Sequence, residues 1–237
     1  VATEWPPEGP DRTEKRACYS FCMCPGGQVV PTAVRADELS VNGMSFSQRQ
    51  SKWANSGLVV NIEPVDYAAL AADEGYDPSS PLCGVEWQRV MERRAAAMGG
   101  GSLVCPVQRV TDFMAGQDPY GSDSAFAATH PLPTSSYRLG VRAAPLHTLY
   151  PSFVTRALQE ALLDFDRRIP GLICDDGLLH GIESRTSAPV RIERDATTLQ
   201  STNKRNLYPA GEGAGYAGGI VSAAVDGMKI ANAIAVR

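Results

Sequence analysis

The chain has 237 residues, of which 43% are hydrophobic and 20% charged, and its formal net charge at pH 7 is −4. This balance is typical of a folded protein with a buried core and excludes a largely disordered chain. The slight negative charge, without any basic stripe, argues against nucleic-acid partners, and no apolar run reaches the roughly 20 residues that a membrane-spanning helix needs.

The first fifteen residues are rich in proline and charge, with neither an apolar signal-peptide core nor transit-peptide character. They predict a loop or linker over residues 1–16. Six scattered cysteines, in a chain far larger than most disulfide-rich scaffolds, indicate reduced thiols. We therefore expect a protein of the cytoplasm or an organelle stroma that is not secreted.

Short runs of strand-forming residues follow, separated by turn residues such as those at 25–27. The predicted strands are 17–24, 28–34, 39–46 and 57–63. A β-rich segment is therefore expected over residues 17–63.

The next segment, residues 64–170, is predicted to be mostly helical with long loops. Residues 64–81 contain Pro and Ser in a pattern typical of a loop. Apolar residues at helical spacing predict three helices, at 84–98, 107–115 and 151–168, the last with proline in its first turn. A long loop is expected over residues 116–142.

The last segment, residues 171–237, is predicted to contain short strands and one final helix. The strands are expected at 177–185, 190–194 and 206–210, and the helix at 220–235. Gly213, Gly215 and Gly218 satisfy the pattern G-x-G-x-x-G just before that helix. Such a turn suits a dinucleotide phosphate because glycines allow close backbone approach and a helix N-terminus offers unpaired N–H groups.

The position of this glycine pattern limits its interpretation. The usual ADP-binding turn is followed by a second strand and an acidic residue about 20 positions on, but the sequence ends at Arg237. We therefore expect a second, late cofactor contact of the kind found in flavoproteins. The other interpretation is that the glycines serve only close helix–sheet packing.

Several segments together resemble the family of large NAD(P)/FAD-dependent oxidoreductases, FAD-dependent dehydrogenases with a two-domain flavoprotein fold. The segments are 21–27, 42–45 with 55–56, 84–88, 183–191 and 208–224. The resemblance covers the chain from residue 17 onward. It implies FAD as cofactor, oxidoreductase activity and an unidentified small-molecule substrate.

The resemblance also implies an α/β fold. Residues 171–237 would be the C-terminal part of a Rossmann-like FAD-binding domain, residues 17–63 would face flavin or substrate in a β-rich substrate domain, and residues 64–170 would be a helical insertion. Members of the family begin with an ADP-binding glycine turn that has no counterpart in this sequence. We therefore expect the C-terminal portion of a longer protein, incomplete without an upstream ADP-binding half.

Residue chemistry and the resemblance together predict a set of cofactor contacts. They do not identify the catalytic residue, and no metal is expected. Glu212 can accept hydrogen bonds from ribityl hydroxyls, and the N–H groups near Gly218 can stabilise negative charge on a reduced flavin. The guanidinium group of arginine binds phosphate or carboxylate through two hydrogen bonds. An asparagine amide can form hydrogen bonds with the edge of the flavin ring. The predicted contacts are Gly211, Glu212, Gly213, Gly218, Gly219, Ile220, Arg185, Ser187, Arg191, Asn42 and Met44.

Two other functions stay open from the sequence. A non-catalytic module could keep the packing of a flavoprotein without bound FAD. A thiol enzyme could use Cys22 and Cys24, because alternation along a strand puts both sulfurs on one face. Residues two apart are poorly placed for a disulfide, so we expect these thiols to be buried as small apolar side chains. The three histidines, His130, His147 and His180, form no metal-binding set, and His180 is expected to be a packed or hydrogen-bonded residue.

Overall fold

The computed structural model describes residues 2–5, 16–118 and 131–235. These residues form a mixed α/β structure with small sheets and helices. The chain divides into two compact units. Unit 1 comprises Val1–Glu63 with Arg89–Ser184, and unit 2 comprises Pro64–Gln88 with Arg185–Arg237.

Unit 1 begins with a three-stranded antiparallel sheet and a separate two-stranded hairpin. The sheet has the order β1-β2-β5 and consists of β1 (Ala2–Trp5), β2 (Arg16–Cys24) and β5 (Asn55–Val60). The hairpin pairs β3 (Gly27–Pro31) with β4 (Val41–Ser45). The four strands predicted over residues 17–63 therefore form, with shifted ends. Strand β1 lies where a loop was predicted, because pairing with β2 overrides the weak strand propensity of a Pro-flanked segment.

The fourth helix along the chain, α4 (Ser152–Arg168), covers one face of the β1-β2-β5 sheet. Its apolar spacing predicted a helix here. Its Ala161 and Phe165 pack with Cys18 of β2, and partly buried Leu58 and Val60 of β5 pack against this cluster. Because side chains alternate along a strand, the cross-strand pair Phe21 and Gly57 lies on the opposite face, away from α4.

A second sheet of unit 1 is built around β6 (Cys105–Arg109), whose first four residues are buried. Strand β7 (Val141–Ala143) pairs with it in parallel and β8 (Leu178–His180) pairs antiparallel. Helix α3 (Val110–Ala115) follows β6 directly. The helix predicted from residue 107 was wrong at its start because a short, fully buried apolar run looks alike in strand and helix. Strand β7 overlaps the end of the predicted loop, residues 116–142. The strand predicted at 177–185 is reduced to β8.

The sequence prediction was wrong for one of the next two helices and correct for the other. Helix α1 (Pro64–Glu74) occupies a segment that was predicted to be a loop. Proline at its first position and Gly75, which has φ +74° and donates to the Ala71 carbonyl, are ordinary start and stop signals. Helix α2 (Cys83–Gly99) confirms its prediction, and the division between the units falls inside it.

Helix α5 (Ile220–Ala235) of unit 2 also confirms its prediction. The strands expected before it do not form. Residues 190–194 contribute only an isolated bridge between Arg194 and Ser201, and residues 206–210 are not a strand. Asn206 has φ +61° and Pro209 has no N–H group, so this segment cannot enter a regular ladder. The expected strand–glycine–helix turn is therefore a loop–glycine–helix turn.

The packing of α4 gives a test of the core of unit 1. Phe165 is 1% exposed, whereas Leu163 on the same helix is 46% exposed. We expect Phe165→Ala to lower the free energy of unfolding by about 3–5 kcal/mol, because it leaves a cavity against β2. The control Leu163→Ala should change it by less than about 1 kcal/mol. Urea denaturation measures both, and equal effects would contradict the assigned buried face.

Candidate functional site

The glycine segment, residues 211–219, turns sharply at two of its glycines. Gly211 and Gly215 have φ values of +69° and +81°, which favour glycine. A Cβ at Gly215 would also lie 2.8 Å from the Val190 carbonyl oxygen. The Gly215 N–H donates to the Glu212 carbonyl at 2.9 Å, and the Tyr216 N–H donates to the Gly211 carbonyl at 2.9 Å. These two glycines are therefore required by the turn itself.

The other glycines of the segment leave open space beside the start of α5. A Cβ at Gly213 or Gly218 would meet no atom within 4 Å, and one at Gly219 would meet only the Ser222 hydroxyl at 3.9 Å. Ile220 is 86% exposed. Ala223 makes the first helical bond, to the Gly219 carbonyl, and within the described residues no acceptor is bound to the N–H groups of 220–222. These donors and the helix dipole suit an anionic or strongly accepting group.

A buried ion pair fixes the glycine segment to α5. The two terminal nitrogens of Arg194 donate to the two carboxylate oxygens of Asp226 at 2.9 and 2.6 Å, and the side chains are only 9% and 8% exposed. Asp226 Oδ2 also accepts the Gly211 N–H at 2.9 Å, and Arg194 donates to the Pro209 carbonyl at 2.8 Å. The pair therefore joins the entry of the glycine segment to the second turn of the helix.

Electrostatics within this ion pair strongly favour the charged forms. The Arg194 hydrogen bonds lower the pKa of Asp226 to about 2, against desolvation, and the Gly211 N–H adds to the effect. The same hydrogen bonds raise the pKa of Arg194. The Arg194 guanidinium also lies 3.6 Å from the centroid of the Tyr216 ring, a cation–π contact. Sequence reasoning missed both partners, because a single arginine and a single aspartate 32 positions apart carry no local signal.

Among the other predicted contacts in unit 2, the structure brings Arg191 to the glycine segment. Its Nε donates to the Gly215 carbonyl at 3.1 Å, and the guanidinium lies 5.0 Å from the Tyr216 ring centroid. The Glu212 carboxylate has no hydrogen-bond partner within the described residues. Ser187 is exposed and Arg185 is half-buried, and no described hydrogen bond joins Ser187 to the glycine segment.

The two remaining predicted contacts belong to unit 1. Asn42 and Met44 lie on β4, and Met44 is 51% exposed. Gly43 between them faces the other way, and a Cβ there would collide with the Asn55 amide. Because residues 42 and 44 alternate with residue 43 along the strand, they point away from Asn55.

A second group of residues, which we call the β5 face, lies on the side of the β1-β2-β5 sheet opposite to α4. It consists of Phe21, Asn55, Gly57 and Glu183. A Cβ at Gly57 would lie 2.5 Å from the Phe21 ring and 2.8 Å from Glu183 Oε2. The missing side chain of Gly57 therefore makes room for both the ring and the carboxyl group.

Glu183 is a carboxyl group with unusual proton affinity. Burial raises its pKa to about 7, and no hydrogen bond or ion pair to it occurs within the described residues. It is therefore able to gain and lose a proton near neutral pH. Sequence reasoning included residue 183 in a resembling segment but assigned it no role, because burial is not visible in the sequence.

The two cysteines of β2 are arranged differently from the expectation. A β-bulge between Phe21 and Cys24 interrupts the alternation, with Cys22 at φ +49°. Cys22 is exposed and Cys24 partly so, and the Cys24 thiol donates to the Cys22 carbonyl at 3.2 Å. The predictions of burial and of two sulfurs on one regular strand face were therefore wrong.

The two histidines within the described residues, His147 and His180, both form hydrogen bonds. His180 Nε2 lies 2.7 Å from the Ser135 hydroxyl, and burial lowers the pKa of its imidazole to about 4. His147 bonds to Gln108, and His130 lies outside the described residues. No group of three candidate metal ligands occurs in the described part of the chain. Across these same ranges, no helix is both long enough and apolar enough to cross a membrane.

The Arg194–Asp226 ion pair predicts a large loss of stability when one partner is removed. Asp226→Asn should lower the free energy of unfolding by about 3 kcal/mol at pH 7, since it leaves the buried guanidinium without its counter-charge. Asp73→Asn, at an exposed position of α1, should have almost no effect. The Asp226 carboxylate stabilises the fold at any pH above the pKa of the unfolded carboxyl group. This stabilisation is lost as the pH falls through about 2. Denaturation curves that match for the two variants would contradict this role.

The raised pKa of Glu183 predicts a pH dependence of stability opposite to that from Asp226. A raised pKa in the folded state stabilises the fold below the unfolded value of 4.5, and this stability is lost as the pH rises to about 7. Glu183→Gln removes the ionisation, so its melting temperature should exceed that of the wild type at pH 8 and match it at about pH 4, below the unfolded pKa. Glu193→Gln, at an exposed position, is the control. A difference that does not depend on pH would disprove the raised pKa.

Comparison with known proteins identifies the family to which the chain belongs. A family model described as FAD-dependent protein, C-terminal domain-like, matches residues 10–186, which include the β5 face and end before the glycine segment. An uncharacterized protein of Clostridium beijerinckii is 46% identical over 220 residues, which are 93% of this chain and 38% of that relative. The chain thus spans less than two fifths of the relative's length. On the family match, the chain belongs to the FAD-dependent proteins and corresponds to their C-terminal portion.

Proposed function

We propose that the chain is the C-terminal part of an FAD-dependent oxidoreductase of the dehydrogenase type, in which it orients flavin and substrate. The observation that carries the proposal is the open start of α5. Within the described residues the N–H groups of 220–222 have no acceptor, and a Cβ at Gly213 or Gly218 would meet no atom within 4 Å. The chain belongs to an FAD-dependent family.

The residues around this helix start fit the polar groups of FAD. The N–H groups from Gly218 to Ser222 would bind phosphate or ring oxygens, because the helix dipole favours negative charge there. Glu212, without a partner in the described residues, would accept hydrogen bonds from hydroxyl groups. Arg191 uses Nε for the Gly215 carbonyl, which leaves its terminal nitrogens to face an anion. FAD itself supplies a group that accepts a hydride.

The finer assignments from the sequence remain part of this proposal. Residues 171–237 would complete a Rossmann-like FAD-binding domain, residues 17–63 would face flavin or substrate, and residues 64–170 would form the insertion. Asn42, Met44, Arg185 and Ser187 would be further contacts to the cofactor or to a small-molecule substrate. The part of the protein that binds the adenosine end would lie in sequence outside residues 1–237, as the greater length of the relative supports.

A matched pair of glycine variants tests the proposal in the full-length protein. Gly218 and Gly227 both have open space where a Cβ would stand, but only Gly218 adjoins the unpaired N–H groups. Gly218→Ala should weaken FAD binding at least tenfold, or about 1.4 kcal/mol, because the methyl group keeps the ligand from the backbone. Gly227→Ala should leave affinity unchanged and stabilise the exposed helix by about 0.5–1 kcal/mol.

Flavin absorbance and fluorescence titration of the apoprotein measure the two affinities. Equal FAD affinity of the two variants would overturn the placement of FAD at α5. A full-length protein that binds no FAD at all would favour the non-catalytic module instead.

A further inference from the structure

The β-bulge of strand β2 includes Cys22 in an unusual backbone conformation. Two residues of β2, Cys22 and Met23, lie opposite the single residue Ser56 of β5. Cys22 has φ +49°, a left-handed conformation that favours glycine and disfavours other residues. Strained positions of this kind persist only where the surrounding structure holds them, and they are concentrated at functional sites. The bulge therefore singles out the Cys22 side chain.

The bulge also brings the Cys24 thiol back toward Cys22. On a regular strand, Cα atoms two residues apart are separated by about 6.8 Å, which is the upper limit for a disulfide. Here the strand is bent, and the Cys24 Sγ lies 3.2 Å from the Cys22 carbonyl oxygen. A bond between the two sulfurs then requires rotation of the Cys22 side chain about its Cα–Cβ bond. This side chain is exposed, so the rotation meets little obstruction.

The backbone that follows Cys24 is held tightly by the rest of unit 1. The Gly27 N–H donates to the Ser51 hydroxyl at 2.6 Å. A Cβ at Gly27 would collide with the Met44 carbonyl oxygen, so β3 and β4 are in close backbone contact there. Cys24 is therefore held beside the hairpin, whereas Cys22 is presented on the bulge. An accessible thiol next to a second, fixed thiol is the arrangement that reversible disulfides use.

The other cysteines do not combine access with a neighbouring thiol. They are Cys18, Cys83, Cys105 and Cys174. The first three are buried, and the last is exposed with no other cysteine near it in the sequence. Burial raises the pKa of Cys18 and of Cys105 to about 12, which keeps these two thiols protonated and unreactive. Reactivity toward disulfides is therefore expected at the bulge rather than in the core.

We propose that Cys22 and Cys24 form a thiol–disulfide exchange site whose substrates are low-molecular-weight disulfides. The Cys22 thiolate attacks one sulfur of a disulfide such as glutathione disulfide, which forms a mixed disulfide and releases the first glutathione thiolate. The Cys24 thiolate then attacks the Cys22 sulfur and releases the second glutathione thiolate. The protein loses two electrons and two protons, and these end on two molecules of glutathione. Excess glutathione reverses both steps.

Glutathione buffers test this inference in the full-length wild-type protein. The protein is equilibrated at pH 8 with a rising proportion of glutathione disulfide, quenched with acid, alkylated in denaturant and digested with trypsin. The peptide 17–35 contains Cys18 as well as the pair, so Cys18 is an internal reference. We expect mass spectrometry to show this peptide changing from three alkyl groups to one, on Cys18, in a transition that does not depend on protein concentration. Added glutathione should restore all three.

Two substitutions and one control identify the sulfurs that take part. Cys24→Ser should trap one glutathione on Cys22, because the second step is lost, and Cys22→Ser should abolish the loss of two alkyl groups. Cys174→Ser, at the other exposed cysteine, should leave the transition of peptide 17–35 unchanged.

The peptide masses also define the results that overturn the inference. It is overturned if Cys22 and Cys24 both stay alkylated in the most oxidising buffer, if each carries its own glutathione, or if they bond only to a second molecule. Should Cys24→Ser fail to fold, the wild-type peptide decides by the same masses. No flavin takes part in the reaction or the readout, so this result and the test of FAD binding stand or fall separately.

Discussion

The ion pair between Arg194 and Asp226 is the interaction on which the candidate site of unit 2 depends. The glycine segment contains five glycines in nine residues, and glycine loses more conformational freedom on folding than any other residue. One carboxylate of α5 accepts hydrogen bonds from Arg194 and from the Gly211 N–H. This single group therefore orders the beginning of the segment and positions it against the helix, and the open N–H groups follow from that arrangement.

Two acidic side chains show how their surroundings set the charge of a carboxyl group. Asp226 has a bidentate arginine partner and a low pKa, so it stays charged and holds the backbone. Glu183 has no such partner in the described residues, and burial raises its pKa to about 7. A carboxyl group of the second kind weakens the fold at neutral pH.

The sequence predicted the elements whose signals are local. Strands β2 to β5, helix α2, helix α4 and helix α5 follow from alternation, apolar spacing and terminal proline or glycine. It failed at β1, which exists through its pairing with β2. It also failed at residues 206–210, where the positive φ of Asn206 and the missing N–H group of Pro209 prevent a ladder. The α1 segment carried local helix signals, which the Pro and Ser residues further along 64–81 concealed.

The candidate site shows the same division between local and distant causes. The glycines and the helix start were predictable, because their spacing is local. Arg194, Asp226 and Glu183 were not, because a buried ion pair and a desolvated carboxyl group arise from residues that are far apart in sequence. The bulge at Cys22 likewise altered a face that regular alternation had predicted.

The most direct test of the central claim is a crystal structure of the full-length protein with FAD bound. We predict an oxygen or ring nitrogen of FAD at a hydrogen-bond distance of about 2.7–3.2 Å from at least one backbone N–H between Gly218 and Ser222. The account is contradicted if FAD occupies another place and protein side chains fill the space in front of these N–H groups.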